Sequence, residues 1–332
     1  MPGLFRWTLG VGFSLAAAEL WVRPVYDMAV VYEPGIGYVN APGRHHFGLE
    51  GSATSTWLAH GVRVTPDAAS DGKTVLVLGD SFTEALMIED AATFPSVAAR
   101  DLARRGSPVR LVNAGRSTMS CADYVHLAPR YRELFAPDWV VIEVRGDDFA
   151  QDAWAAGRTR FSQDEQSQLQ VEGVIEPERR GLRGALFKLR QESMLVGYGV
   201  VRAGKFRTVP EPPLFQAGRK EPPRLVPPEP PVEAEIDMLA KAWAGRMTLL
   251  YLSEYLDADA IEPRVRAHCQ TRRLSCAFTR EANEQLRPAG KAPTGFTNTG
   301  WGTGHLNSDG HRIAGEVLAA ELDRAQRTEE KR

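Results

Sequence analysis

The sequence predicts an α/β protein built on a parallel sheet, and three observations carry that expectation. Val75-Leu76-Val77-Leu78 is an unbroken aliphatic run without alternation, the pattern of a strand buried on both faces. From it to Val109-Arg110-Leu111-Val112-Asn113, strand, helix and strand follow at the length of a right-handed βαβ unit. Three apolar runs, ending at Leu78, Val112 and Val144, each stop in a polar or glycine-containing turn. Those turns fall on the carboxyl edge of the sheet, which is where open α/β sheets bind ligands.

The chain has 332 residues and a net charge of −2, enough for one large domain or two small ones. With neither a basic excess nor a Lys/Arg block, nothing calls for nucleic acid. Residues 1–22 read as a leader. One basic residue, Arg6, precedes the apolar run Trp7 to Ala18, and Ala16-Ala17-Ala18 before Glu19 fits a signal-peptidase site. Residues 4–22 also approach spanning length, so an uncleaved anchor competes with a signal peptide. Either reading exports the body to the periplasm or the extracellular space. Cys269 and Cys276 are seven positions apart and could close a small loop there, although free thiols are the default; Cys121 has no evident partner. No C-x-x-C or His companion suggests zinc.

Residues 23–70, rich in Gly, Pro and aromatics, are expected to form an irregular extension with short strands, packed on a main domain over 71–325. His45-His46 reads as a surface pair. Thr93-Phe94-Pro95 opens a helix with a hydroxyl cap and a first-turn proline, and Phe94, Val97, Ala98 and Leu102 give it one apolar face. A second helical stretch runs from Ser120 to Leu134, bent at Pro129. Trp139 to Val144 is the third buried strand. Glu143 inside it reads as a partner for Arg145 or Arg116, or as solvent-exposed at the sheet end. About 150–233 is expected to be a proline-rich surface excursion, densest from Val209 to Val232. Regular structure resumes with a helix from Ile236 to Met247, a strand from Thr248 to Leu252, a helix from Ile261 to Arg272 and a short segment from Leu274 to Phe278. A Gly/Pro/Thr-rich loop then leads into a final helix with Ile313, Val317, Leu318 and Leu322 in a stripe, Asp309 as its natural cap, and a charged tail at 326–332.

Gly79-Asp80-Ser81-Phe82, Asn113-Ala114-Gly115, Gly146-Asp147-Asp148 and His305-Leu306-Asn307 resemble, in order and spacing, the four sequence blocks of the SGNH (GDSL-type) hydrolases. The resemblance covers roughly Lys73 to Leu322, and the front of the chain looks like the exported bacterial branch. It implies a three-layer α/β/α sandwich with about five parallel strands in flavodoxin-like order. It implies ester hydrolysis with Ser81 as nucleophile and His305 as general base. The N–H groups of Ser81 and Gly115 would face the oxyanion, with no metal or organic cofactor. Asp80 and Asp148 are read as supporting residues bonded to turn backbones.

Two positions depart from the pattern. Asp147 stands where the family has the Asn that completes the oxyanion hole. Gly302 stands where the family has an Asp three residues before the histidine, which leaves a Ser81–His305 dyad oriented by a main-chain carbonyl. The expected function is therefore an exported serine ester hydrolase acting on a small-molecule, glycan or lipid acyl ester. The alternatives are a degenerate domain that binds or scaffolds at the cell envelope, or an O-acyltransferase on a glycan. Membrane contact is expected only through the N-terminal segment, and Trp301 is expected to line a pocket or cover the core.

Overall fold

The structure, a computed structural model, describes residues 2–150, 159–164, 168–199, 229, 231–253 and 260–330. Its centre is a sheet of five strands: β1 (Thr74–Leu78), β2 (Arg110–Asn113), β3 (Trp139–Val144), β4 (Met247–Tyr251) and β5 (Ser275–Phe278). Their order across the sheet is β2-β1-β3-β4-β5, and every pair is parallel. Leu76 of β1 stands opposite Val112 on one side and Val140 on the other. The expected α/β class and flavodoxin-like order are both present.

All five residues of β1 and of β4 are buried, so their side chains are divided between two cores by the pleat. Val75, Val77, Val141 and Leu250 point to one face. There they meet α1 (Phe94–Arg104) and, later in the chain, the long final helix Ser308–Glu330. Leu76, Leu78, Ile142 and Leu249 point to the other face. That side is covered by α2 (Cys121–His126), α3 (Ala128–Phe135), α4 (Val232–Ala242) and α5 (Glu262–Arg272); the final helix is α6. The result is three layers, α/β/α.

The segment before β1 holds more order than its composition suggests. Tyr26–Asp27, Gly43–Phe47 and Ala53–Trp57 form an antiparallel sheet, and Val30–Glu33 pairs with Gly37–Asn40 as a hairpin. Bridges from Trp57 to Arg63 and from Arg63 to Asn113 stitch this layer to the end of β2. Arg63 is buried and acts as a clamp: its Nε meets Asp90 at 2.9 Å, and its two Nη atoms donate to the carbonyls of Glu84, Ala85 and Ile88. A buried guanidinium is stable only when so fully bonded. His45 is likewise buried, not on the surface, with Nε2 on the Ala41 carbonyl at 2.9 Å.

Several boundaries differ from the sequence expectation for physical reasons. α4 ends at Ala242, because Ala244 and Gly245 take left-handed conformations that reverse the chain; Met247 therefore opens β4 and is not helical. The cap of α6 is Asn307, whose Oδ1 accepts from the N–H groups of Asp309 (3.0 Å) and Gly310 (3.1 Å), so Asp309 sits in the first turn. α6 runs on to Glu330, and residues 331–332 lie outside the described residues. Within 150–233, a hairpin (Arg160–Gln163 with Leu169–Glu172) and a helix (Gly181–Glu192) are formed, and Phe161 is buried in the main core. Most of the proline run Val209 to Val232 lies outside the described residues. Cys269 and Cys276 are joined in a disulfide and Cys121 is free and buried. The segment expected to be a leader forms a helix, Pro2–Val22, and no helix among the described residues is long and apolar enough to cross a membrane.

Candidate active site

Three strand ends build the floor of the site. After β1, Gly79 makes a turn that no other residue fits, since a Cβ there would collide with Thr83 and Glu143. Asp80 then caps a short helix, Ser81–Glu84, by accepting from Phe82 N at 2.7 Å, which leaves Ser81 at its first position. At the end of β2, Asn113 bridges the first two blocks: its Nδ2 donates to the Thr83 carbonyl (3.1 Å) and its Oδ1 accepts from Gly115 N (3.0 Å). After β3, Asp148 accepts from Arg145 N at 2.7 Å and Asp147 pairs with the Arg145 guanidinium at 2.7 Å.

His305 arrives from elsewhere, on a hairpin in which Thr294–Phe296 pairs with Gly300–Leu306. Its Nε2 lies 2.9 Å from Ser81 Oγ. The hydroxyl and imidazole, 224 positions apart in sequence, thus share one rim of the sheet. On its other side Nδ1 lies 2.8 Å from Glu50 Oε2, and the His305 backbone N–H donates to Glu50 Oε1 at 3.0 Å. The imidazole is therefore oriented by a carboxylate and not by the expected main-chain carbonyl: Nδ1 faces Glu50, 255 residues earlier in the chain. Gly302, three residues before the imidazole, adopts φ +80 in the hairpin and contributes no side chain.

The glutamate is locked in place from two directions. Asn298, in the turn of the His305 hairpin, accepts from Gly51 N (2.9 Å) and donates to Gly51 O (2.8 Å), so the loop carrying Glu50 is tied to the hairpin. Gly304 has φ +76, and a Cβ there would strike the Glu50 carboxylate. Only glycine satisfies both demands. Glu50 is 8 % exposed and His305 25 %, so the acid is shielded and the base accessible. The Phe82 ring rests 5.0 Å from the imidazole. With the Nδ1 proton directed at the carboxylate, Nε2 presents its lone pair to the serine hydroxyl.

The remaining sequence candidates divide. Gly115 adjoins the site, and a Cβ would collide with Thr83 and Glu84, yet its N–H is already given to Asn113. The N–H of Ser81, in the first turn of its helix, has no intrahelical acceptor. Trp301 is exposed, away from the core. Glu143 is neither solvated nor paired with an arginine by a hydrogen bond: it is fully buried under the Ser81 turn, accepting from Thr83 Oγ1 (2.9 Å) and Asp80 N (3.3 Å). Burial pushes the carboxyls of Glu143 and Asp148 well above the usual range, and the neighbouring carboxyls add to it. Asp80 is raised by burial too, opposed by Arg145, whose Nη2 lies 3.7 Å away. Arg145 also stacks on Phe82, its Cζ 4.2 Å from the ring centroid, so one cation serves Asp80, Asp147 and an aromatic face.

A cavity of about 770 Å³ opens beside Glu84, Arg116 and Ser117 and is walled by Tyr38, Asn40 and Arg179. A second groove, about 660 Å³, lies at the opposite edge of the sheet, next to Trp139 and Met247 where β3 and β4 begin. Among the described residues no cluster of three or more His, Cys, Asp or Glu side chains is arranged to hold a metal ion.

No family model matches this chain, and no curated protein does. Solved structures do. TesA is 18 % identical with a TM-score of 0.39, covering 75 % of this chain and 98 % of its own. A catalytic mutant of Axe2, an acetylxylan esterase from Geobacillus stearothermophilus, is 16 % identical with a TM-score of 0.40, covering 76 % and 95 %. A member of the lipolytic protein G-D-S-L family from Veillonella parvula is 9 % identical with a TM-score of 0.40, covering 75 % and 97 %. At TM-scores near 0.4 these likenesses carry no weight for the chemistry, which has to come from the geometry of this chain.

Proposed function

We propose that the chain is a serine ester hydrolase of SGNH type acting on O-acyl esters. The observation that carries this reading is the pair of hydrogen bonds joining Ser81 Oγ to His305 Nε2 and His305 Nδ1 to Glu50. In this reading Ser81 Oγ attacks the acyl carbon while its proton passes to Nε2, and Glu50 stabilises the imidazolium that results. The C–O bond to the alcohol then breaks, and His305 returns the proton to the departing oxygen. Water, deprotonated by His305, cleaves the acyl-enzyme, and the proton goes back to Ser81 as the carboxylic acid leaves.

Charge on the carbonyl oxygen is met mainly by the Ser81 N–H, because Gly115 is engaged and an ionised Asp147 cannot donate. That arrangement favours slow turnover. The alcohol portion is a small-molecule, glycan or lipid hydroxyl; the cavity next to Arg116 and Ser117 is lined by neither Ser81 nor His305 and does not select among them. The same engaged Gly115 and charged Asp147 favour, as a second reading, a site that binds ligand without cleaving it. An O-acyltransferase is the same first half-reaction with a sugar hydroxyl in place of water. The Cys269–Cys276 disulfide and the leader-like first 22 residues support an exported body, in the periplasm or outside the cell.

The test is turnover of a short-chain aryl ester, with serine labelling by a phosphonate probe. Ser81→Ala is expected to abolish both, and Glu50→Gln to lower kcat by about 10²–10⁴-fold while leaving the fold intact. An unlabelled Ser81 together with no Ser81-dependent turnover would transfer the site to the binding reading.

A further inference from the structure

Among the described residues, large exposed apolar side chains gather on two helices outside the core. Phe13, Leu20 and Trp21 are 78 %, 69 % and 73 % exposed on Pro2–Val22, and Leu182, Leu186 and Leu189 are 77 %, 58 % and 51 % exposed on Gly181–Glu192. The three leucines are spaced i, i+4, i+7, which places them on one face of their helix. Large apolar side chains left exposed along one helix face mark a docking site.

The two helices are held together and not merely adjacent. Glu19 accepts from Ser193 Oγ (2.8 Å), Met194 N (2.7 Å) and Leu195 N (3.0 Å), capping the helical turn at 194–199 that follows Gly181–Glu192. Val30 N donates to Gln191 Oε1 at 2.8 Å. Beneath them Val22 and Met194 pack with Leu49 and Met87 in one small core, and Leu49 is the neighbour of Glu50. The apolar bracket and the loop carrying the acid of the candidate site therefore share a foundation.

Charge identifies the occupant. Residues 176–192 contain five Arg or Lys against three Glu, an excess of positive charge in a chain whose net charge is −2. The side chains of Arg180 and Lys188 are 85 % and 76 % exposed and pair with Glu178 and Glu192, and Arg179 pairs with Glu176. An apolar helix face bordered by cations matches the boundary between acyl chains and anionic headgroups. We propose that the leucine face of Gly181–Glu192, braced by the N-terminal helix through Glu19, docks the protein on an anionic lipid surface. This stands independently of whether Ser81 cleaves esters.

The test uses the full chain with an environment-sensitive fluorophore on Leu186→Cys and, as a control, on Thr328→Cys at the opposite edge of the sheet. Phosphatidylglycerol vesicles are expected to blue-shift the label at 186 and not at 328, and phosphatidylcholine vesicles to do so far less. In the unlabelled chain, Leu186→Glu with Leu189→Glu is expected to weaken partition to phosphatidylglycerol vesicles by about tenfold or more, with an unchanged melting temperature. Three outcomes overturn the proposal: no vesicle binding, binding without a shift at 186, or a shift that grows with protein concentration when lipid is absent. The last would assign the face to a second copy of the chain.

Discussion

At position 147 a carboxylate stands where an oxyanion donor is expected, and its charge is matched by Arg145 at 2.7 Å. Ion pairing removes part of the repulsion toward a developing oxyanion but supplies no N–H from this residue. Asp147→Asn restores an amide donor and leaves the Ser81–His305–Glu50 hydrogen bonds untouched. It is expected to raise kcat on an aryl ester by about 10-fold or more, towards the ~10²-fold that a single donor is worth. Asp147→Ala is the control, since it removes the charge without adding a donor. Equal gains from both would locate the effect in charge alone, and a loss from Asn would make the carboxylate itself the working group.

At the scale of elements, the junction of α1 and α6 turns on His311. It is buried, stacked on Phe94 at 6.0 Å, and its Nδ1 accepts from Phe94 N at 3.1 Å, which requires a neutral imidazole. Burial, with smaller contributions from the charges of Arg63 and His305, lowers its pKa from 6.5 to about 3. A base with a depressed folded pKa stabilises the fold fully above its unfolded value. That stability, of order a few kcal/mol, is lost as pH falls from about 6.5 towards about 3. Glu143, Asp148 and Asp80 act with the opposite sign, because their raised folded values favour the protonated, low-pH form. The measurement is therefore a difference: melting temperature against pH for the native chain and for His311→Gln. The native chain is expected to lose more between pH 6.5 and 4, and parallel curves would show that His311 is not the titrating group.

Across the whole molecule, chemistry and covalent bracing occupy opposite edges of the sheet. Ser81 follows the carboxyl end of β1, whereas Cys269 and Cys276 border the groove at the starts of β3 and β4. The disulfide joins residues seven apart, so it restrains only a short loop of the unfolded chain. Cys269→Ser with Cys276→Ser is expected to lower stability by about 2 kcal/mol in denaturant titration and to leave aryl-ester turnover unchanged. A fall in turnover at full folding would show that strain crosses the sheet.

The periodicity of the sequence determined the sheet, the helix that follows β1 and the turns that end β1, β2 and β3, because buried parallel strands need unbroken aliphatic runs and the turns need glycine and capping acids. Ser81 and His305 were legible for the same reason: each sits in a short block whose neighbours shape its own turn. Glu50 was not. It is a lone acid in a Gly-rich stretch with no local pattern around it, and what selects it is contact with a hairpin 255 residues later, through Asn298 and the missing side chain of Gly304. The engagement of Gly115 by Asn113 and the burial of Glu143 were hidden in the same way. Local sequence fixes which groups a turn presents; which group of a distant segment meets them is decided by how the layers pack.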